Sequence, residues 1–194
     1  MPATHVFAPP AIIAGMTPAA QRLIDLLRSH RPSDAKEVGD TQRTIDWLAT
    51  AADPLNRNQF DPGHGVGSAL IATPDRRHVL LVLHAKLNRW LQPGGHAEPS
   101  EIDLAHVAAR EALEEVGVRL LPDHGRFCDI DIHSVPARAS APQHLHFDFR
   151  FHFQTPMTTA TAASDALEAK WFKIDDAMAM DLDAGLRRMI GKLR

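Results

Sequence analysis

The chain has 194 residues, 44% of them hydrophobic and 23% charged, and a formal net charge of −3 at pH 7. That size and composition fit one globular domain, or one domain with an added segment, and the slight negative charge gives no reason to expect a nucleic-acid backbone as partner. Cys128 is the only cysteine, so an internal disulfide and a thiolate zinc site are excluded and a reducing, cytoplasmic compartment is expected.

Residues 1–16 read as irregular, without the basic stretch and long apolar run of a signal peptide, and no window of the chain is long enough to span a membrane. Thr17-Pro18 is a helix start, with threonine as cap and proline at the first helical position. Leu23, Ile24, Leu26 and Leu27 supply its apolar face, and the helix is expected to end near His30, before Arg31-Pro32. A second helix is predicted from Asp40 or Thr41 to Ala52, with Ile45, Leu48 and Ala52 on one side and Asp53-Pro54 as its stop. Residues 1–60 therefore read as an α-helical extension and residues 61–194 as a domain of different character.

In that domain, "GVGSALIAT" (65–73) and "HVLLVLHA" (78–85) are strand-like runs separated by the turn sequence "PDRR". A short strand is expected around Trp90 and Leu91, followed by a break at Pro93-Gly94-Gly95 and a helix over 100–116. "RFCDIDIHSV" (126–135) alternates Cys128, Ile130 and Ile132 against Asp129, Asp131 and His133. "LHFDFRFHF" (145–153) is the clearest strand, with Leu145 and four phenylalanines on one face and His146, Asp148, Arg150 and His152 on the other. "EAKWFKI" (168–174) reads as a last strand and 175–193 as one or two short helices. The order predicts an α/β (α+β) fold, a mixed sheet covered by helices on both faces.

The helix in "GGHAEPSEIDLAHVAAREALEEVGV" (94–118) carries the chemistry. Ser100-x-x-Asp103 offers a capping box to open it, and Leu104, Ala105, Ala108, Ala109, Ala112 and Val116 form a face to pack on the sheet. Glu111, Glu114 and Glu115 crowd its last turns, where the helix dipole disfavours negative charge and Glu111 and Glu115 repel at i,i+4. Gly117 supplies the left-handed C-terminal position. A hard divalent cation would offset both penalties, and carboxylate-held Mg²⁺ is a common device for handling a phosphate chain. The plainer alternative is a solvated acidic helix end.

This segment resembles the signature of the Nudix (MutT-like) hydrolases, G-x5-E-x7-R-E-U-x-E-E-x-G-U with U aliphatic. "REALEEVGV" (110–118) matches its second half, and Gly94-Gly95 with Glu101 its first half, with one extra residue between Glu101 and Arg110 and Ser100 where glycine is frequent. "LQPGGH", "HLHFDFRF" and "EAKWF" look like phrases of a bacterial subgroup, so the resemblance covers about residues 60–180. It implies a Nudix-type α/β/α sandwich and Mg²⁺- or Mn²⁺-dependent hydrolysis of a pyrophosphate bond in a nucleoside diphosphate linked to another moiety. By position, Glu111, Glu114 and Glu115 and the Gly95 carbonyl would hold the metal. Glu111 or Glu115 would serve as base, and Arg110 would orient Glu101 and Glu114. A family module that binds a nucleotide without cutting it is the alternative. The isomerase branch needs a catalytic cysteine, and Cys128 sits on the apolar side of its strand.

Around the box, His64 and His96 flank glycines and are candidates for touching substrate. On the strand 145–153, His146, Asp148 and Arg150 are read as substrate-pocket residues; a metal site of His144, His146 and Asp148 and a plain solvent face are the alternatives. The absence of tyrosine and the late position of Pro136 match neither the diadenosine polyphosphate nor the ADP-ribose enzymes of the family, so the leaving group is not assigned. The N-terminal helices are open to three roles: a homodimer element, a wall of a lid, or packing on the core.

Overall fold

The computed structural model describes residues 16–164 and 166–194; the reading of the first fifteen residues as irregular lies outside them. Helix α1 (Pro18–Ser29) begins at the expected cap, where the Thr17 hydroxyl accepts the Ala20 N–H. Helix α2 (Ala35–Leu48) starts several residues earlier than the sequence suggested. Its cap is Asp34, which accepts the Glu37 N–H, while the Glu37 carboxylate reaches back to the Ser33 N–H (2.7 Å) in a variant of the capping box. The buried residues of α2 are Glu37, Asp40, Thr44, Trp47 and Leu48; of the expected face Leu48 is buried and Ile45 packs on the core, while Ala52 lies exposed beyond the helix, and Trp47 stacks on Phe147 with ring centroids 3.7 Å apart.

The rest of the chain builds one seven-stranded mixed sheet. Its strands are β1 (Gly63–Ala72), β2 (His78–His84), β3 (Arg89–Leu91), β4 (Gly94–His96), β5 (Arg126–Val135), β6 (His144–Gln154) and β7 (Ala166–Lys173). The main path runs β3-β2-β1-β6-β5, with β4 on β1 and β7 on β2. Only β1 and β6 pair in parallel, in an unbroken register from Gly63↔Leu145 to Ala72↔Gln154. β1 is buried along its whole length, which explains its run of small and apolar residues.

Helix α3 (Leu104–Val116) lies with α1 and α2 on one face of the sheet, over the phenylalanines of β6, Ile130 and Ile132. The short helices α4 (Ile174–Ala179) and α5 (Ala184–Gly191) cover the other face, over Leu70, Ala72, Val79 and Leu81. α1 and α2 are thus part of the core of the fold; of the roles open to them, packing is the one this arrangement displays. Among the described residues no helix is long and apolar enough to cross a membrane.

Three local expectations are corrected. Gly94 and Gly95 do not simply break the chain: they form β4, paired to β1 through Gly67↔Gly95 and Ser68↔Gly94. α3 is capped by Asp103, not Ser100, because Pro99-Ser100 stays in a turn closed by the Glu101 N–H to Glu98 O bond (2.9 Å). The strand β5 carries a bulge between Phe127 and Asp129, so two residues oppose one and the alternation slips. Phe127, Ile130 and Ile132 face α3, while Cys128 packs with the α4/α5 cluster. Its thiol donates to the Arg150 carbonyl (3.4 Å), and burial holds its pKa well above the usual thiol range, against reactivity there.

Candidate active site

The carboxylates of α3 are organised by Arg110. Its Nε and Nη2 hold Glu101 in a two-point pair (3.1 and 3.0 Å), its Nη1 donates to Glu111 (2.9 Å) and Glu114 (3.0 Å), and its Nη2 also donates to the His96 carbonyl (2.8 Å). The expected pairing of Arg110 with Glu101 and Glu114 is present. Despite the extra residue between them, Glu101 stays within reach of Arg110. Gly117 ends the helix at φ 68°, a conformation that glycine adopts without strain.

Strand β4 brings backbone against these carboxylates. A Cβ at Gly95 would overlap the Glu111 carboxylate where it now lies, so glycine lets that carboxylate rest directly against β4. Ala69 N–H bonds to Pro93 O, and by the alternation of antiparallel pairs Gly67 and Gly95 are likewise a hydrogen-bonded pair. The Gly95 carbonyl is therefore turned towards β1. The Gly94 backbone faces the other way, and its N–H donates to Glu115 (3.3 Å).

Burial raises the pKa of Glu111, the adjacent Arg110 opposes that, and Glu114 and Glu101 reinforce it. This is the electrostatics of a carboxylate cluster short of positive charge. All-oxygen donors, a net excess of carboxylate over the single guanidinium and a backbone approach that a methyl group would block fit a hard divalent cation.

Glu111 and Glu115 line a cavity of about 720 Å³ between β4, β6 and the loops before β1 and after β5, which also exposes His64, His96, His133, His144 and His146. Glu114 instead lines an adjoining recess of about 380 Å³ with Glu98, and Arg57, His96 and Glu111 belong to both. Of the strand β6 residues, His144, His146 and Asp148 line the main cavity.

Arg150 does not, and its expected place among the substrate-pocket residues is corrected. It is buried beneath α5, with Nε donating to Asp148 (2.7 Å) and its Nη atoms paired with Asp129 and Asp131 (3.4 and 3.6 Å). Arg188 of α5 and Lys192 at its C-terminal cap bind the same Asp129, both at 2.7 Å. The strand alternation identified the polar face correctly; α5 covers the far half of it. The pocket side of Asp148 remains polar: Gln92 donates to its Oδ2 (3.3 Å), and its Oδ1 has no hydrogen-bond partner in the structure.

The histidines form a second group. His64, His144 and His146 place ring nitrogens within 4.8 Å of one another, a cluster able to coordinate a metal. His64 replaces Asp148 in the set considered from sequence, because Asp148 is held by Arg150. The parallel register His64↔His146 makes the group, and no local pattern announces it. Burial pushes the His146 pKa down to about 2, with His96 and His133 nearby adding to the shift, and burial also lowers those of His64 and His96, the latter to about 4. All three are neutral at pH 7. Arg57 and Arg138, which sequence reasoning did not single out, are the cations lining the main cavity. Trp90 packs edge-on against Phe172 beside the α4/α5 cluster, and is a packing residue.

A family model described as the NUDIX domain matches residues 63–193, two thirds of the chain. The chain therefore belongs to the Nudix family, and the protein is a Nudix-fold enzyme acting on phosphoanhydride bonds. Among curated proteins nothing matches it. Several solved structures share the fold. A Nudix-family hydrolase from Clostridium perfringens superposes with a TM-score of 0.51 at 23% identity, covering 72% of this chain and 97% of that one. The E. coli dihydroneopterin triphosphate pyrophosphohydrolase gives 0.51 at 17% identity, covering 66% and 92%. A MutT NUDIX hydrolase from Burkholderia pseudomallei gives 0.51 at 16% identity, covering 67% and 97%.

Proposed function

We propose that the protein hydrolyses the pyrophosphate bond of a nucleoside diphosphate linked to another moiety, with Mg²⁺ or Mn²⁺, and that residues 61–194 form the hydrolase domain with 1–60 as a helical extension. The observation that carries this reading is the Arg110 hub, which fixes Glu101, Glu111 and Glu114 beside a glycine strand at the wall of a cavity large enough for a nucleotide. Glu111 and Glu115 from the cavity, Glu114 from the recess and the Gly94 carbonyl, in place of that of Gly95, would hold the ion. Bound there, the ion supplies neutralisation of the phosphate chain and a more acidic attacking water.

The protein's own residues do the rest. Glu111 or Glu115 takes the proton of the water as its oxygen bonds to phosphorus. The anhydride P–O bond breaks, its electron pair leaves on the bridging oxygen, and the products are a nucleoside monophosphate and the phosphorylated moiety. Arg110 keeps the carboxylates in register through the step and touches none of the reacting atoms. His96, His146 and Asp148 form the wall against which the substrate lies, and Arg57 at the junction of cavity and recess is placed to meet a phosphate. The full set of carboxylates and the arginine that locks them favour hydrolysis over the binding-only module, which needs neither.

The test is a panel of nucleoside diphosphate compounds with Mg²⁺ or Mn²⁺, following release of nucleoside monophosphate. Turnover is expected on at least one, and Glu111→Gln or Glu115→Gln should lower it by about 10²–10⁴-fold with the fold intact. Wild-type turnover in both variants, or no cleavage of any anhydride in the panel, would reject the reading.

A further inference from the structure

Three imidazoles meet in the cavity for which gripping a hard cation gives no use. We propose that His64, His144 and His146 form a separate tris-imidazole centre for Zn²⁺ in this protein. The proposal stands on its own observations and does not depend on what the carboxylates of α3 do.

The first observation is convergence. The ligand-capable nitrogens lie within 4.8 Å of one another. Nitrogens about 2.1 Å from a tetrahedral zinc are about 3.4 Å apart, so small side-chain rotations close the set. The rings sit on two adjacent strands in parallel register, with centroids 5.0 Å apart for His64–His144, 4.9 Å for His64–His146 and 5.2 Å for His144–His146.

The second observation is the arrangement of protons. Nδ1 of His64 faces the Gln59 carbonyl (3.0 Å) and Nδ1 of His144 the Pro142 carbonyl (2.8 Å). A carbonyl only accepts, so each Nδ1 carries the hydrogen and each Nε2 keeps a lone pair. Carbonyl partners on the remote nitrogen are the usual way in which ligating histidines are oriented. The third observation is that the Nε2 atoms of His64 and His146 are buried without a hydrogen-bond partner in the structure. A proton would meet that need only by placing an imidazolium among neighbouring rings. A metal ion meets it for both at once, with His144 Nε2 as the third donor.

The donor set chooses the ion. Neutral imidazoles suit zinc and its transition-metal neighbours, while Mg²⁺ takes oxygen. Three protein ligands leave the fourth tetrahedral position to a water from the cavity that all three line.

The experiment uses the full chain without a histidine tag, stripped of metal with a chelator. Titration with Co²⁺ should give the intense visible bands of a tetrahedral nitrogen site, and calorimetry with Zn²⁺ one tight equivalent that a large excess of Mg²⁺ leaves in place. His144→Gln and His146→Gln, checked for fold by far-UV circular dichroism, should each weaken Zn²⁺ binding by about ten-fold or more. The double variant Glu111→Gln/Glu115→Gln should keep the tetrahedral spectrum. Only weak octahedral bands from the wild-type protein would overturn the proposal, whatever the variants do. So would unchanged zinc affinity in both histidine variants, or loss of the tetrahedral bands in the glutamate double variant.

Discussion

Arg110 makes five hydrogen bonds to three carboxylates and one carbonyl, and its planar fork is what lets it hold Glu101 at two points. Lysine keeps the charge and loses the fork. Arg110→Lys is expected to lower kcat by about 10²-fold through misplaced carboxylates while the melting curve barely moves, which steady-state kinetics and thermal melts on the same preparation would check. Gly95 acts by having no side chain. In Gly95→Ala the methyl group displaces Glu111, and turnover should drop with Mg²⁺ and Mn²⁺ alike; full activity would show that Glu111 need not sit against β4. These positions were legible in the sequence because they belong to one helix and the short segment just before it, within a single motif. The histidine group was not legible as a set, since it needs the register of β1 on β6, which no local pattern encodes. Arg150 failed for a related reason: alternation tells which face a side chain takes, and not that α5 will cover that stretch.

At the scale of elements, α3 rests on β1 at Gly67, where a Cβ would overlap the Leu104 carbonyl and press on Val107. The contact sets how low the acidic end of the helix lies against β4. Gly67→Ala should cost about 1–3 kcal/mol by overpacking, read from urea unfolding, and lower activity in the folded fraction too. Stability lost with specific activity unchanged would show that the height of α3 does not matter to the chemistry. The strands other than β4, and α1, could be read from alternation, apolar runs and the Thr17-Pro18 cap. The start of α2 could not, because its buried face carries Glu37, Asp40 and Thr44, polar residues that a search for an apolar stripe discards.

Those residues matter to the molecule as a whole, since they join helices to the sheet through charge. Glu37, fully buried, accepts from His30 and Lys192 (2.6 Å each) and from Ser33, and Lys36 bridges Asp40 and Asp131. Burial alone would raise the Glu37 carboxyl; hydrogen bonds from His30, Lys192 and Ser33 reverse that and hold it well below the usual range. Asp131 behaves likewise, with burial outweighed by His133, Arg150 and Lys36. Folded pKa values below the unfolded ones mean stability that is complete above about pH 5 and drains away as the pH falls through about 4 and below. Acid unfolding followed by circular dichroism should therefore set in below about pH 4, and Glu37→Gln should cost about 3–5 kcal/mol at pH 7 while flattening that acid dependence. The same charges also finish the sheet. β5 is an edge strand, and the Asp40 carboxylate of α2 accepts the outward N–H of Ile132 (2.9 Å). With that rung taken by a side chain, the strand offers a poorer template at that point for pairing with a passing chain.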